Sequence, residues 1–251
     1  MSELDESYVD WKDWDPAAFG KFSALDAVYF AAETSIAART SGRVLEVGFG
    51  NGAFLGWVRG MGLEAYGIEA NPVLIERARA LLGPDHVFEA LDDVLLDRLR
   101  GTITHAVAFD VIEHVPIEHL GALLRAMGEL LTPQGRIVLR FPNGDSPFGR
   151  ITQHGDPTHV TVIGQQKMSY LARAAGLHLV EIRAPKLPIH GVGLLRGLKR
   201  RLLNIVRGCL ERGVSLLYFA GRRVPFDPNY VAVLQRQKAE VAAAARAAVS
   251  S

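Results

Sequence analysis

Val44-Leu45-Glu46-Val47-Gly48-Phe49-Gly50-Asn51-Gly52 decides the fold. A short apolar strand runs into glycines at 48, 50 and 52, and Ala53 to Arg59 continues as a helix. Glycine lets the backbone approach a ligand closely, and a helix start presents free N–H groups to it. Gly48-x-Gly50-x-x-Ala53 also satisfies the dinucleotide fingerprint, and Glu69, at the end of the second strand, suits a ribose in either class. The same glycines would serve a tight turn with no ligand at all. Glu46 separates the two ligand classes. A carboxylate two residues before the first glycine neutralises a cationic amino group but repels a pyrophosphate.

Outward from this loop, short apolar strands alternate with amphipathic helices. Arg43 to Val47 precedes Ala53 to Arg59; Glu64 to Ile68 precedes Pro72 to Leu82; His86 to Glu89 precedes Asp93 to Leu99. Thr104 to Phe109 then leads to Ile117 to Leu131, and Arg136 to Phe141 leads to Gln165 to Ala175. This order predicts an α/β, Rossmann-like, doubly wound sheet with ligands at the carboxyl ends of its strands. A helical segment, Asp15 to Ala38, precedes the sheet within residues 1–41. The domain proper is expected over 42–224, with an aperiodic acceptor loop at 142–164 and a basic helix insertion at 186–213. Leu177 to Ile182 reads as a strand, Gly193 to Glu211 as a helix, and Val214 to Ala220 as the last strand. The Ala-rich tail at 225–251 is expected to be helical.

With 251 residues, 49% of them hydrophobic, the chain can bury one sizeable core but not two. A net charge of +1 argues against nucleic acid as a partner. Cys209 is the only cysteine, so no intrachain disulfide forms. Met1 to Asp15 is acidic and unlike a secretory signal, and no run reaches the roughly 18 apolar residues of a spanning helix. A cytoplasmic location is the expectation.

Val44 to Gly52 together with Gly67-Ile68-Glu69-Ala70-Asn71-Pro72 resembles the class I S-adenosylmethionine (SAM) dependent methyltransferases. Phe109-Asp110-Val111-Ile112-Glu113-His114-Val115 is similar to the segment after strand four in the branch holding the ubiquinone-biosynthesis O-methyltransferases. Leu131 to Arg136 and Phe141-Pro142-Asn143 resemble the entry to and exit from strand five. The resemblance implies a seven-stranded, mostly parallel sheet whose last strand is antiparallel, with SAM as cofactor. It implies that Glu46, Gly48 and Gly50 face the methionine part and that Glu69, with Ala70 beside it, holds the ribose. Asp92 would lie near the adenine, with Asp93 or the Leu91 backbone as substitutes and a helix cap as the structural alternative. Asp110 would lie near the sulfonium.

His114 follows strand four and resembles the histidine given a base role in the quinone branch; a cap or pocket-lining role is the alternative. Asp156 and His159, in Gly155-Asp156-Pro157-Thr158-His159, form a second catalytic candidate, and His154 a weaker third. That stretch resembles loops in methyltransferases of bacterial surface glycans. Asp110, Glu113 and His114 could bind a divalent metal, although helix-start carboxylates are common without one and none is expected.

Across Lys186 to Arg223, nine basic residues stand against the single Glu211, a net +8. Within residues 193–212 the leucines share one helical face. That face either packs on the sheet or on a second subunit of a homo-oligomer, or it meets an anionic membrane surface from the inner, cytoplasmic side. The composite expectation is O-methylation of a sugar hydroxyl on a bacterial cell-surface glycan of lipopolysaccharide or O-antigen type. A phenolic or quinone-precursor acceptor is the alternative. An NAD-binding oxidoreductase and a non-catalytic cofactor-binding protein are the readings from other classes.

Overall fold

The computed structural model describes residues 12, 14–37, 41–221 and 224–237. The glycine loop is the hinge of the first strand-helix unit: β1 (Arg43–Val47) delivers the chain to it, and α2 (Ala53–Gly60) leaves from Gly52. Ahead of them, the expected single N-terminal helix is broken. A 3-10 turn at Pro16–Ala18 is followed by Gly20 at φ 73°, and α1 (Ala24–Thr34) then starts from a capping box between Ser23 and Asp26.

The units that follow are β2 (Glu64–Ile68) with α3 (Pro72–Leu82), β3 (Val87–Phe88) with α4 (Asp93–Leu99), and β4 (Ile103–Phe109) with α5 (Ile117–Leu130). Asn71 caps α3 ahead of Pro72, the start expected from the sequence. β5 (Leu131–Pro142) runs into the acceptor loop, which contains a short helix, α6 (Gly149–His154). Helix α7 (Gln165–Ala174), β6 (Leu177–Arg183), α8 (Leu194–Tyr218) and β7 (Asn229–Arg236) complete the described chain.

The seven strands lie in the order β3-β2-β1-β4-β5-β7-β6, with β7 antiparallel to both its neighbours. Residues alternate between the faces. Leu45, Ala106, Ile137 and Leu139 enter the core under α4, α5 and α7; Val44, Val107 and Val138 meet Phe30, Phe54 and Trp57 on the other side. Both faces of the sheet are therefore covered, as a parallel arrangement requires.

The last strand is antiparallel as expected, but it is not Val214 to Ala220. That apolar run extends α8, because Glu211 and Ser215, one turn apart, accept hydrogen bonds from Phe226 and Val224 and give this end of the helix a packed side. The strand is Asn229–Arg236, inside the stretch expected to be a helical tail. Pairing on both edges, with β5 and with β6, overrides its helix propensity. Residues 238–251 of the expected tail lie outside the described residues.

Candidate functional site

A cavity of about 1140 Å³ opens at the carboxyl ends of β1, β2, β4 and β5. Glu46, Gly48, Gly50, Glu69, Ala70 and Asp110 all line it, as do His114, Asp156 and His159. The acceptor loop and the N-terminal segment close over it from different sides. Lys12 Nζ donates to Asp156 Oδ2 at 3.0 Å, and Trp14 lies so close to Gly50 that a Cβ there would stand 2.8 Å from its ring. At Gly48 a Cβ would meet Val111 at 2.5 Å, and both glycines have positive φ, so no other residue fits the loop without strain.

Glu46 is 4% exposed, and its Oε2 has no hydrogen-bond partner. Burial first, and then the charge of Glu69, push its carboxyl well above the usual carboxylate range; the Leu55 backbone N–H and Arg140 pull it back only in part. A cationic ligand group would relieve both the desolvation and the repulsion. Glu69 is positioned by three backbone N–H groups, from Gly50 at 3.2 Å, Ala70 at 2.8 Å and Asn71 at 3.2 Å. A carboxylate has about four lone-pair positions, so these three donors leave about one for a ribose hydroxyl. Asp92 behaves otherwise: it caps α4 by accepting from the Leu95 N–H at 3.0 Å, and none of residues 91–93 lines the cavity.

Asp110 sits at φ 56° just past β4, and its carboxylate is gripped at both oxygens by the Arg140 guanidinium, Nε to Oδ1 at 2.8 Å. Burial opposes the Arg140 charge, but Asp110 and then Tyr29 hold it firmly protonated. Arg140 Nη1 also donates to the Tyr29 hydroxyl at 3.1 Å, which ties α1 to the end of β5. Sequence reasoning passed over Arg140, although a cation inside Ile137-Val138-Leu139-Arg140-Phe141 is a legible interruption of an apolar strand.

The two histidines meet. Backbone N–H groups of Val160 and Thr161 donate to the Glu113 carbonyl at 2.9 and 3.0 Å, and this brings the His159 ring to 4.6 Å from that of His114. Thr158 gives its hydroxyl proton to Asp156 Oδ1, so its oxygen accepts from His114 Nδ1 at 2.8 Å and leaves Nε2 of His114 bare. Burial and the neighbouring His159 hold His114 below the usual histidine value, with Asp156 acting in the opposite direction. Burial raises Asp156, but the Thr158 and Lys12 hydrogen bonds outweigh it and bring the carboxyl down to about 2. His154, on α6, is exposed and does not line the cavity.

Glu113 is 1% exposed with neither carboxylate oxygen hydrogen-bonded, Oε1 lying 3.9 Å from His159 Nε2, and burial followed by the Asp110 charge pushes it to about 8. The trio Asp110, Glu113 and His114, considered from sequence as a possible metal site, does not converge. Asp110 is taken by Arg140, and the atoms that converge, within 4.8 Å of one another, belong to Glu113, His114 and His159.

A family model described as a methyltransferase domain matches residues 11–182, more than half of the chain. The chain belongs to the methyltransferase-domain family. It is a methyltransferase whose fold is that of the class I SAM-dependent enzymes, and Glu46 Oε2, buried without a hydrogen-bond partner beside the glycine loop, fits the cationic amino group of SAM. Among solved structures, a SAM-dependent methyltransferase from Archaeoglobus fulgidus is similar at a TM-score of 0.60 and 19% identity, over 85% of this chain and 95% of that one. One from Mesorhizobium loti matches at 0.53 and 18%, over 84% and 100%. Geranyl diphosphate C-methyltransferase from Streptomyces coelicolor A3(2) matches at 0.52 and 16%, over 84% and 78%. At these identities the likeness is one of fold. The comparison with curated proteins found no match.

Proposed function

We propose that this methyltransferase transfers a methyl group from SAM to a hydroxyl oxygen, with His114 as the base, and that the acceptor is a sugar hydroxyl of a bacterial cell-surface glycan. The hydrogen-bonded series Asp156, Thr158, His114 carries the reading, because it leaves His114 Nε2 bare in a cavity shared with the cofactor residues. Glu46, Gly48 and Gly50 would hold the methionine part of the donor, and Glu69 with Ala70 the ribose. When bound, SAM supplies an electrophilic methyl group.

The chain's own residues supply position and a proton acceptor. The acceptor hydroxyl would sit against His114 Nε2, which would take its proton as the oxygen bonds to the methyl carbon and the carbon–sulfur bond breaks, leaving S-adenosylhomocysteine. Asp156, through Thr158, steadies the resulting positive imidazole. His159 closes the other side of His114 and fixes the ring. A sugar hydroxyl is far less acidic than a phenol and so depends more on such a base, which favours the glycan over the phenolic acceptor. A volume of about 1140 Å³ also exceeds the roughly 300–1,000 Å³ of a single-ligand pocket and leaves room for donor and acceptor together.

Incubation with methyl-labelled SAM and fractionated glycan, lipid and small-molecule extracts tests the reading. Label is expected in the glycan fraction, and to be lost with His114→Ala. Label in a phenolic product would overturn the acceptor, and rates unchanged in both His114→Ala and His159→Ala would overturn the base.

A further inference from the structure

Helix α8 packs with its polar side inward. Of its 25 residues, Gly197, Glu211 and Ser215 are the buried ones. Gly197 lies against the Ile189 carbonyl, where a Cβ would stand 2.5 Å from the oxygen. Arg200 donates to the Pro188 carbonyl at 2.8 Å, Arg207 to Asp227 at 3.1 Å, and Glu211 accepts from the Phe226 N–H at 3.1 Å. Positions 197, 200, 207, 211 and 215 fall on one side of a helix with about 3.6 residues per turn, so these attachments form one stripe.

The leucines occupy the opposite side. Leu195, Leu198, Leu202 and Leu210 are 83%, 65%, 62% and 61% exposed, with Ile205 and Val206 between them. The apolar face that the sequence allowed to rest on the sheet therefore looks away from it. Arg201 and Arg212 border this face on one margin and Arg196 on the other, all three exposed. Soluble monomers seldom present so long an apolar stripe without a partner. A second copy of the helix is a poor partner, because its only acid, Glu211, is buried against the body and arginine margins would face each other. No helix among the described residues is long and apolar enough to cross a membrane.

We propose that α8 docks the enzyme on an anionic lipid bilayer, with the leucine face in the acyl boundary and the bordering arginines at the phosphates. An apolar face bounded by cations matches that surface in polarity and charge, and arginine stems can follow the apolar face while their heads reach the phosphates. The helix also connects mechanically to the acceptor loop. Residues 224–228, which α8 holds through Glu211 and Arg207, are held from the other side by Asn143, donating to Pro225 and Asp227 at 3.0 and 2.9 Å, and by Ser146, donating to Phe226 at 2.8 Å. Docking would therefore bear on the loop that closes the cavity.

Flotation of the full chain with vesicles of phosphatidylcholine, with and without phosphatidylglycerol, tests the proposal. Wild type should float with the anionic vesicles, remain behind with the neutral ones, and detach as salt rises. Arg201→Ala/Arg212→Ala should bind about 25-fold more weakly, at roughly fivefold for each arginine. Leu198→Ser/Leu202→Ser should not float. Both variants should keep the wild-type melting temperature and S-adenosylhomocysteine affinity, since these side chains are exposed and outside the cavity. Equal flotation with neutral vesicles, no flotation of wild type, or a stable dimer in sedimentation that the leucine variant dissolves would each overturn it. Vesicle binding is read without methyl transfer, so its failure leaves the proposed reaction untouched.

Discussion

Replacing Glu46 by Gln separates the ligand-binding reading of this residue from a structural one. Glu46 is 4% exposed, its Oε2 is unpartnered, and burial and Glu69 raise its carboxyl well above the ordinary range. In the free protein, then, the charge is a burden. A folded-state pKa above the unfolded value of about 4.3 means that the folded chain holds more protons; stability is greatest below that pH and falls as pH rises toward the folded pKa. Gln lacks this loss. The ligand-free variant should melt higher than wild type at pH 7.5, and its melting temperature should decline less above pH 4.5. Ligand affinity should move the other way. Removing one partner of a buried ion pair costs about 3 kcal/mol or more, so the dissociation constant for S-adenosylhomocysteine, which keeps the amino group, should rise about 150-fold. Wild-type affinity should also strengthen with pH, because the ligand selects the ionised carboxylate. Titration calorimetry and thermal melts of both proteins across pH 5 to 8.5 measure all three effects. An affinity within threefold of wild type, or a ligand-free variant that melts lower, would refute the assignment of Glu46 to a cationic group.

Asp92→Ala should lower stability by about 1 kcal/mol through loss of the α4 cap, with S-adenosylhomocysteine affinity unchanged; a tenfold loss of affinity would restore Asp92 to the adenine side of the site. His114→Ala should reduce kcat by about 10² or more with cofactor affinity retained, which single-turnover assays on the labelled acceptor would show. Thr158→Val should give a smaller loss in kcat, because it unlinks His114 from Asp156 without removing the base; a loss equal to that of His114→Ala would mean that the loop itself had collapsed. Activity should survive EDTA. Loss on chelation, with recovery on adding zinc or manganese, would reassign Glu113, His114 and His159 from proton transfer to metal binding.

The parts of the fold legible in the sequence are those written in local patterns. The glycine loop, the Asn71-Pro72 helix start and the alternation of Val44 with Leu45 each depend on a few neighbouring residues, so the strand-helix order and the cofactor end of the cavity follow from them. The acceptor side depends on distant pairs. His159 reaches Glu113 and His114 only because Val160 and Thr161 hydrogen-bond to the carbonyl of Glu113, far earlier in the chain, and no spacing within either segment announces that contact. The same holds for β7. Asn229-Tyr230-Val231-Ala232-Val233 is an ambiguous run until β5 and β6 offer it two edges, whereas Val214 to Ala220 reads as a strand until Glu211 and Ser215 anchor it as helix.

Helix α8 shows most sharply what periodicity contains and what it omits. The leucine face and its basic margins are written at helical spacing, but periodicity is a property of the helix alone and carries no sign for the direction of the core. That direction comes from the other face, where Gly197 permits close approach to Ile189 and Glu211 and Ser215 meet backbone donors. Small and hydrogen-bonding residues at the same 3.6-residue recurrence, opposite an apolar stripe, are the signal that such a helix is attached by its polar side. In α5 the buried side is instead Leu120, Leu124 and Met127, and its charged Glu118 lies on an exposed position, the ordinary arrangement. The two helices have comparable amphipathic patterns and opposite orientations, so the difference lies in what the polar stripe is made of, and that composition is what makes the exposed face of α8 a surface for a partner.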